Sequence, residues 1–403
     1  MSDVLAGIRV VEVASWTFVP SSGAILAEWG ADVIKIEEPE RGDPQRGLIT
    51  SGIIPEGGAN FMYEVPNRGK RSVGLDISTQ DGRELLYRLV ETADVFVTSH
   101  LPDVRQRLGI DVEHIRERNP RAIYVRGSGN GPRGPEAGRG GFDSATYWAR
   151  SGIACALMEP GHDWPTGVRP GFGDLLGGLA LAGGVAAALL KRERTGAASV
   201  VDVSLLGLGA WNLGPDITSA RLFEAIAFPA YDRDAPGNPL VGFFPTGDGR
   251  FLSLMLFQDQ RFWPDLCTHL GHPELIEDPR FDSTASRHEN RRECVAVLRK
   301  IFASATLAQW RNRLATMTGV WAAVQTPREV HDDPQIIANG YIQSVTAENG
   351  VAISLPTNPV QFDMTPPVVR GGPGHGEHTD EVLLELGLSQ DELIEHKMNG
   401  SVL

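Results

Sequence analysis

The sequence predicts an α/β protein: a large domain built on a doubly wound, mainly parallel sheet, and a smaller α+β domain. Three observations carry this reading. Short apolar segments rich in Val and Ile alternate with helix-length segments from the N-terminus onward, which is the pattern of βαβ units. Pro20 and Gly30 bracket the first helical stretch where helix punctuation expects them. The texture then changes near Ala225, where a hairpin signal and a run of helical segments begin. A chain of 403 residues is long enough for two cores.

Taken in order, Ile8–Val13 reads as a strand, Ser21–Trp29 as a helix and Asp32–Glu37 as the next strand. The connection Ala14–Val19 therefore lies at a strand's carboxyl end, where open α/β sheets bind ligands. Residues 41–67 form a long Gly- and Pro-containing segment, which predicts a binding loop or lid. Strands follow at Arg71–Asp76, Ala93–Thr98, Arg121–Arg126 and Ser199–Ser204, with helices at Gln80–Thr92, from Pro102 to Leu108, and over Leu205–Leu222. The large domain is expected to comprise residues 1–224 and 325–403, and the small one 225–324. Within the small domain, Phe243–Met255 reads as a hairpin with a Gly-Asp-Gly turn, followed by helical segments from Gln258 to Leu314. The tail supplies a segment at Val351–Leu355 and a last helix over Ser389–Met398.

Composition narrows the function. The net charge of -14 argues against nucleic-acid or anionic-membrane partners, so an anionic ligand must find a local basic pocket. Cys155, Cys267 and Cys294 are widely spaced, with no CxxC pairing. Together with an N-terminus that lacks a basic-then-apolar leader, they predict a reduced, cytoplasmic setting. The apolar run Leu175–Leu190 is rich in Gly and Ala and reads as a buried core helix. No metal site is expected: Gly374 and Gly376 keep His375 and His378 off a helix face. No G-x-S-x-G elbow or H-E-x-x-H helix occurs.

The stretch Thr166–Gly178 (TGVRPGFGDLLGG) is where chemistry concentrates. A flexible loop delivers one carboxylate, Asp174, to the start of that core helix. Two readings stand open. Asp174 is an N-cap that satisfies backbone amides, or it is a carboxylate kept ionised by those amides in a water-poor cleft and available as a nucleophile. Gly177 and Gly178 either open room for a substrate or permit close helix packing. Upstream, Gly129–Gly134 (GNGPRG) matches the dinucleotide fingerprint formally, but Pro135, Gly138, Gly140 and Gly141 follow where that fingerprint needs a helix. The segment reads better as a glycine loop carrying Arg133 and Arg139, which are candidates to meet phosphate or carboxylate groups.

Several motifs then carry a family resemblance. Leu5–Val13 (LAGIRVVEV), Leu26–Pro39 (LAEWGADVIKIEEP), Asn67–Asp76 (NRGKRSVGLD), Gly109–Asp111, Gly173–Gly178 (GDLLGG) and Glu377–Leu383 (EHTDEVL) resemble, in order, the motifs of family III CoA-transferases. This group includes formyl-CoA:oxalate and carnitine CoA-transferases and, as a separate branch, α-methylacyl-CoA racemases. The resemblance implies a Rossmann-like large domain made from both ends of the chain, a small domain, and an interlocked homodimer. It further implies coenzyme A, bound as an acyl-CoA substrate, and a carboxylic acid as the second substrate.

Residue by residue, Asp174 falls on the family's nucleophilic aspartate, with Asp143 as a supporting acid and the Gly177 and Gly178 amides as oxyanion donors. Racemases of the group pair the aspartate with a histidine in Gly-His-Asp. Here Gly141-Phe142-Asp143 stands in its place, and phenylalanine moves no proton, which favours transfer over racemisation. A racemase-like isomerase or a non-catalytic CoA-binding protein are the alternatives. The CoA pocket implied by resemblance comprises Thr17, Leu75, Ser99, His100 and Arg107, with Lys70 and Arg71 as nearby cations and Glu38 where some members place an arginine, and Arg139 of the glycine loop is added as a candidate phosphate contact. The identities of donor and acceptor are not expressed in these motifs.

Overall fold

The computed structural model describes residues 3–52, 57–158, 163–225 and 231–403. The chain forms two compact units, Met1–Phe228 with Gln335–Leu403, and Pro229–Pro334.

The first unit is a mixed α/β layer structure. Its strands are β1 (Arg9–Val13), β2 (Asp32–Glu37), β3 (Arg71–Gly74), β4 (Val95–Thr98), β5 (Ile123–Ser128) and β6 (Val200–Ser204). They pair in the order β3-β2-β1-β4-β5-β6, all parallel. The order reverses direction beside β1, and such a switch point is where a ligand crevice opens at the carboxyl ends of the strands. The connecting helices are α1 (Phe18–Glu28), α2 (Phe61–Asn67), α3 (Gln80–Glu91), α4 (Pro102–Leu108), α5 (Val112–Arg118), α6 (Ile153–Ala156), α7 (Phe172–Thr195), α8 (Leu205–Asn212) and α9 (Gly214–Leu222).

Strand alternation puts Val10, Val33, Val97 and Val125 on one face of the sheet, against Leu26 of α1 and Leu181 and Val185 of α7. Val11, Ile34, Phe96 and Tyr124 face the other way, onto Leu86 and Leu89 of α3. Both faces are covered, which is why the strands read as nearly continuous apolar runs.

Three expectations change. The helix expected over Leu205–Leu222 is two helices, because Pro215 cannot donate to a continuing ladder and the chain breaks at Leu213. The long segment 41–67 is not uniformly irregular: Asp43 caps a 3₁₀ turn at Pro44–Gly47 through the Gln45 amide, and Asn60 caps α2. Helix α7 is long and apolar enough to cross a membrane. However, its Gly177, Gly178, Leu181, Ala182 and Val185 face is buried in the unit's core. It is not buried all round, since Phe172, Leu175, Leu176 and Leu190 are exposed.

The second unit carries its own core around Trp263, Phe281, Phe302 and Trp310. It contains the antiparallel strands β7 (Val241–Pro245), β8 (Phe251–Met255) and β9 (Trp321–Ala323), with α10 (Asp259–Leu270), α11 (Thr284–Glu289), α12 (Arg291–Phe302), α13 (Leu307–Arg313) and α14 (Pro327–Val330). After α15 (Pro334–Ala338), the chain rejoins the first unit through the antiparallel pair β10 (Ile342–Thr346) and β11 (Ala352–Pro356), then α16 (Thr379–Glu385) and α17 (Gln390–Met398). Thr379 accepts a hydrogen bond from the Gly74 amide, and Val402 bridges Leu75, which stitches the C-terminus beside β3.

Candidate active site

The head of α7 decides what Asp174 can do. Gly171 occupies the N-cap in a left-handed conformation, φ 70°, with no capping side chain of its own. The cap comes from elsewhere: the Asp143 carboxylate accepts the Gly173 amide at 3.1 and 3.2 Å. Burial raises the pKa of Asp143, while amides of Gly173, Asp174 and Phe172 pull it back. Asp143 begins a π-helical segment, Asp143–Arg150. A Cβ at Gly173 would sit 2.3 Å from Tyr147 Cγ and 2.6 Å from Asp143 Oδ1, so only glycine allows this approach.

Asp174 is therefore relieved of capping. Among the described residues no protein hydrogen bond stabilises its carboxylate, and burial, with Asp143 beside it, pushes its pKa up to about 7. The expectation that helix amides would hold it firmly ionised fails for that reason: the amides of the first turn are taken by Asp143.

Gly177 and Gly178 are also corrected. They lie in the second turn of α7, where each N–H bonds a carbonyl four residues back, so neither amide is free for an oxyanion. A Cβ at Gly177 would lie 2.3 Å from the Phe18 ring, and one at Gly178 would lie 2.4 Å from Ser21 Cβ. Their role is to let α1 and α7 approach closely.

The β1–α1 connection reaches the same helix head. Thr17 Cγ2 would stand 3.4 Å from a Cβ at Gly171, and Thr17 Oγ1 accepts a hydrogen bond from Gln45 Nε2 at 2.8 Å. The preceding residue, Trp16, has φ 70°, an uncommon conformation for a bulky side chain. Its amide donates to Asp43 Oδ1 at 3.2 Å, and the buried Lys35 ammonium holds Asp43 Oδ2 and Ala14 O, each at 2.8 Å. The Ser15 amide donates to Ser99 Oγ at 3.1 Å. Asp43, Lys35, Gln45 and Trp16 were not singled out in the sequence. A lysine in an apolar strand was the available signal, because a buried ammonium needs a partner.

A cavity of about 600 Å³ opens at the carboxyl ends of β1 to β4, lined by Ser15, Glu38, Arg41, Leu75, His100 and Leu108 among others. Leu75 and His100 thus share a ligand-sized space. Burial, with Arg105 and Lys35 nearby, holds the His100 imidazole below its ordinary pKa and hence neutral at pH 7. Ser99 turns toward the Ser15 loop, and Arg107 is exposed on α4, outside that lining.

The expected cations depart most. Lys70 is fully buried and bonds Glu12 Oε1 and Oε2 at 2.7 and 2.9 Å, Pro20 O at 2.8 Å and Asn67 Oδ1 at 3.0 Å. Burial lowers its pKa to about 8, and no donor is left for a phosphate. Arg71 is bound to Asp32, Glu381 and Glu385. Arg139 is exposed on the glycine loop and pairs with Glu136 at 3.6 Å. His378 accepts the Ser72 amide and His375 bonds Glu38 O, while no group of three His, Cys, Asp or Glu able to hold a metal occurs among the described residues.

A Rossmann-order sheet with a ligand-sized crevice, and a carboxylate at the head of α7 without a hydrogen-bond partner among the described residues, define an enzyme class once the family is known: this chain belongs to CoA-transferase family III, whose profile matches residues 5–379. Enzymes of this family use CoA thioesters as substrates. Among its relatives, the chain is 31% identical over 399 residues to (R)-2-hydroxy-4-methylpentanoate CoA-transferase of Clostridioides difficile, covering 97% of each. It is 33% identical over 400 residues to succinate–glutarate CoA-transferase of Agrobacterium fabrum, covering 95% of each. A CAIB/BAIF family protein from Brucella suis superposes with a TM-score of 0.81 at 28% identity, over 96% of this chain and 100% of that one.

Proposed function

We propose that the protein transfers CoA from an acyl-CoA thioester to an acceptor carboxylic acid through covalent intermediates on Asp174. The observation that carries the reading is the division of labour at the α7 head: Asp143 accepts the helix amide, and among the described residues the Asp174 carboxylate beside it has no protein hydrogen bond. A carboxylate that is partly withdrawn from water and free of donors is a better nucleophile than a fully solvated one.

The Asp174 carboxylate attacks the thioester carbonyl, the C–S bond breaks, and an aspartyl–acyl anhydride and CoA thiolate result. The thiolate attacks the aspartyl carbonyl, expelling the first acid as its carboxylate and leaving an aspartyl-CoA thioester. The acceptor carboxylate attacks that thioester and releases the thiolate again. The thiolate then takes the acceptor acyl group and frees Asp174. Charge is balanced at each step without net proton transfer. Racemisation is less well supported, since it needs two free acid/base groups and Asp143 is occupied as a cap. A purely capping Asp174, as a non-catalytic CoA-binding protein would have, fits poorly with Gly171 at the N-cap.

Intact-protein mass spectrometry after incubation with an acyl-CoA panel tests this, with hydroxylamine trapping and the Asp174→Asn variant alongside. The expected result is an acyl or CoA adduct that maps to Asp174 and is lost in the variant. Exchange that persists in Asp174→Asn would overturn the mechanism.

A further inference from the structure

We propose that Trp16 and Phe142 form the acyl subsite of this enzyme, and that they select aromatic or branched aliphatic acyl groups over short dicarboxylic ones. The inference rests on the transferase reading above and adds to it the class of acyl group.

The two rings meet edge to face, with centroids 5.7 Å apart and planes at 86°. Both are unusually exposed for such side chains, Trp16 at 38% and Phe142 at 62%. They arrive from different loops, and each loop touches the first turn of α7. Thr17, next to Trp16, packs on Gly171, and Asp143, next to Phe142, caps Gly173. The aromatic pair therefore closes a ring of contacts around the helix head that carries Asp174. Phe172, Leu175 and Leu176, exposed on that same head, extend the apolar surface.

The conformation of Trp16 argues that the indole is held there for a purpose. Left-handed backbone is costly for a bulky side chain and persists only where the surroundings over-determine it. Asp43 supplies the restraint, fixed in turn by Lys35 and by the amide of Gln45. Charge points the same way. The distal carboxylate of a diacyl donor needs a guanidinium or ammonium partner in a site from which water is excluded. Two cations beside the β1–α1 loop are already bound: Lys35 to Asp43, and Arg46 to Glu37 and Glu348. Among the described residues the charge that perturbs Asp174 is that of Asp143, and it is negative. An apolar acyl group buries against the two rings with no unpaired charge.

The test is donor selectivity with one fixed acceptor, comparing 3-phenylpropionyl-CoA and isovaleryl-CoA with succinyl-CoA and acetyl-CoA. The wild type is expected to prefer the first two over succinyl-CoA in kcat/KM by at least about tenfold. Trp16→Gly removes the indole while tolerating the positive φ, and Phe142→Ala removes the other ring. Each should lower the ratio of kcat/KM for 3-phenylpropionyl-CoA to that for acetyl-CoA by about 10- to 100-fold. Phe142→Leu should restore the ratio for isovaleryl-CoA, a result that loss of fold cannot mimic. A wild type that prefers succinyl-CoA, or variants that slow all donors equally, would overturn this proposal and leave the transferase reading intact. Turnover of no donor would overturn both.

Discussion

Replacing Asp174 by Asn should stabilise the fold above pH 7 while removing the nucleophile. In the folded chain the carboxyl is pushed from its ordinary 3.8 to about 7, chiefly by burial and then by Asp143. An acid whose pKa is raised by folding burdens the folded state only when it is ionised. The cost is absent below about pH 4, grows as the pH rises from there to about 7, and is complete above it. At about 1.4 kcal/mol per pKa unit the ceiling is about 4 kcal/mol. Asn has nearly the same shape and carries no charge, so the variant escapes that cost. Thermal melts of wild type and variant between pH 4 and pH 9 measure it. The variant should melt several degrees higher at pH 8, with the difference shrinking toward pH 4. If Asp174 were the helix cap, its carboxylate would be favoured by the amides and the sign would reverse. A variant that melts lower than wild type at pH 8 would refute the reasoning.

Catalysis should follow the same titration: kcat/KM should rise with pH through an apparent pKa near 7, and Asp143→Asn, which keeps a capping group but removes the repelling charge, should move that limb to lower pH. Gly177→Ala and Gly178→Ala should each cost about 1–3 kcal/mol or more by overpacking against Phe18 and Ser21. Gly183→Ala in the same helix meets nothing within 4 Å and should gain up to about 1 kcal/mol, so parallel melts of the three separate packing from propensity. Lys70→Met leaves the buried Glu12 with the longer contact to Lys35, at 3.5 Å, and should cost about 3–5 kcal/mol while leaving the KM for acyl-CoA of the surviving folded protein near wild type. A selective rise in KM without loss of stability would return Lys70 to the nucleotide site.

The α/β class was readable because strands covered on both faces, such as Val10–Val13 and Val95–Thr98, must be mostly apolar, with a polar residue such as Glu12 held by a buried partner, and helices such as Gln80–Glu91 must show one apolar stripe. The break at Leu213 was less visible, since α8 and α9 are both helical and only Gly214-Pro215 separates them. At the site, Asp143 and Asp174 stood out as candidates, and the resemblance located them. Their division into cap and free carboxylate did not, because it depends on which oxygen reaches the Gly173 amide across 30 residues of chain. Lys70 misled for a related reason. In a sequence it is a cation beside an arginine, and in the fold it pairs, together with Lys35, the Glu12 carboxylate buried inside β1.

By itself, then, the sequence determined the order of strands and helices, the punctuation between them and the family. These are set by local periodicity, turn chemistry and motifs contiguous in the chain. Tertiary structure alone decided which carboxylate is desolvated, which cations are consumed by internal pairs, and that Trp16 meets Phe142. Each of those depends on burial and on distances between residues remote in sequence, and the energy of a charge or a ring is fixed by its surroundings in space.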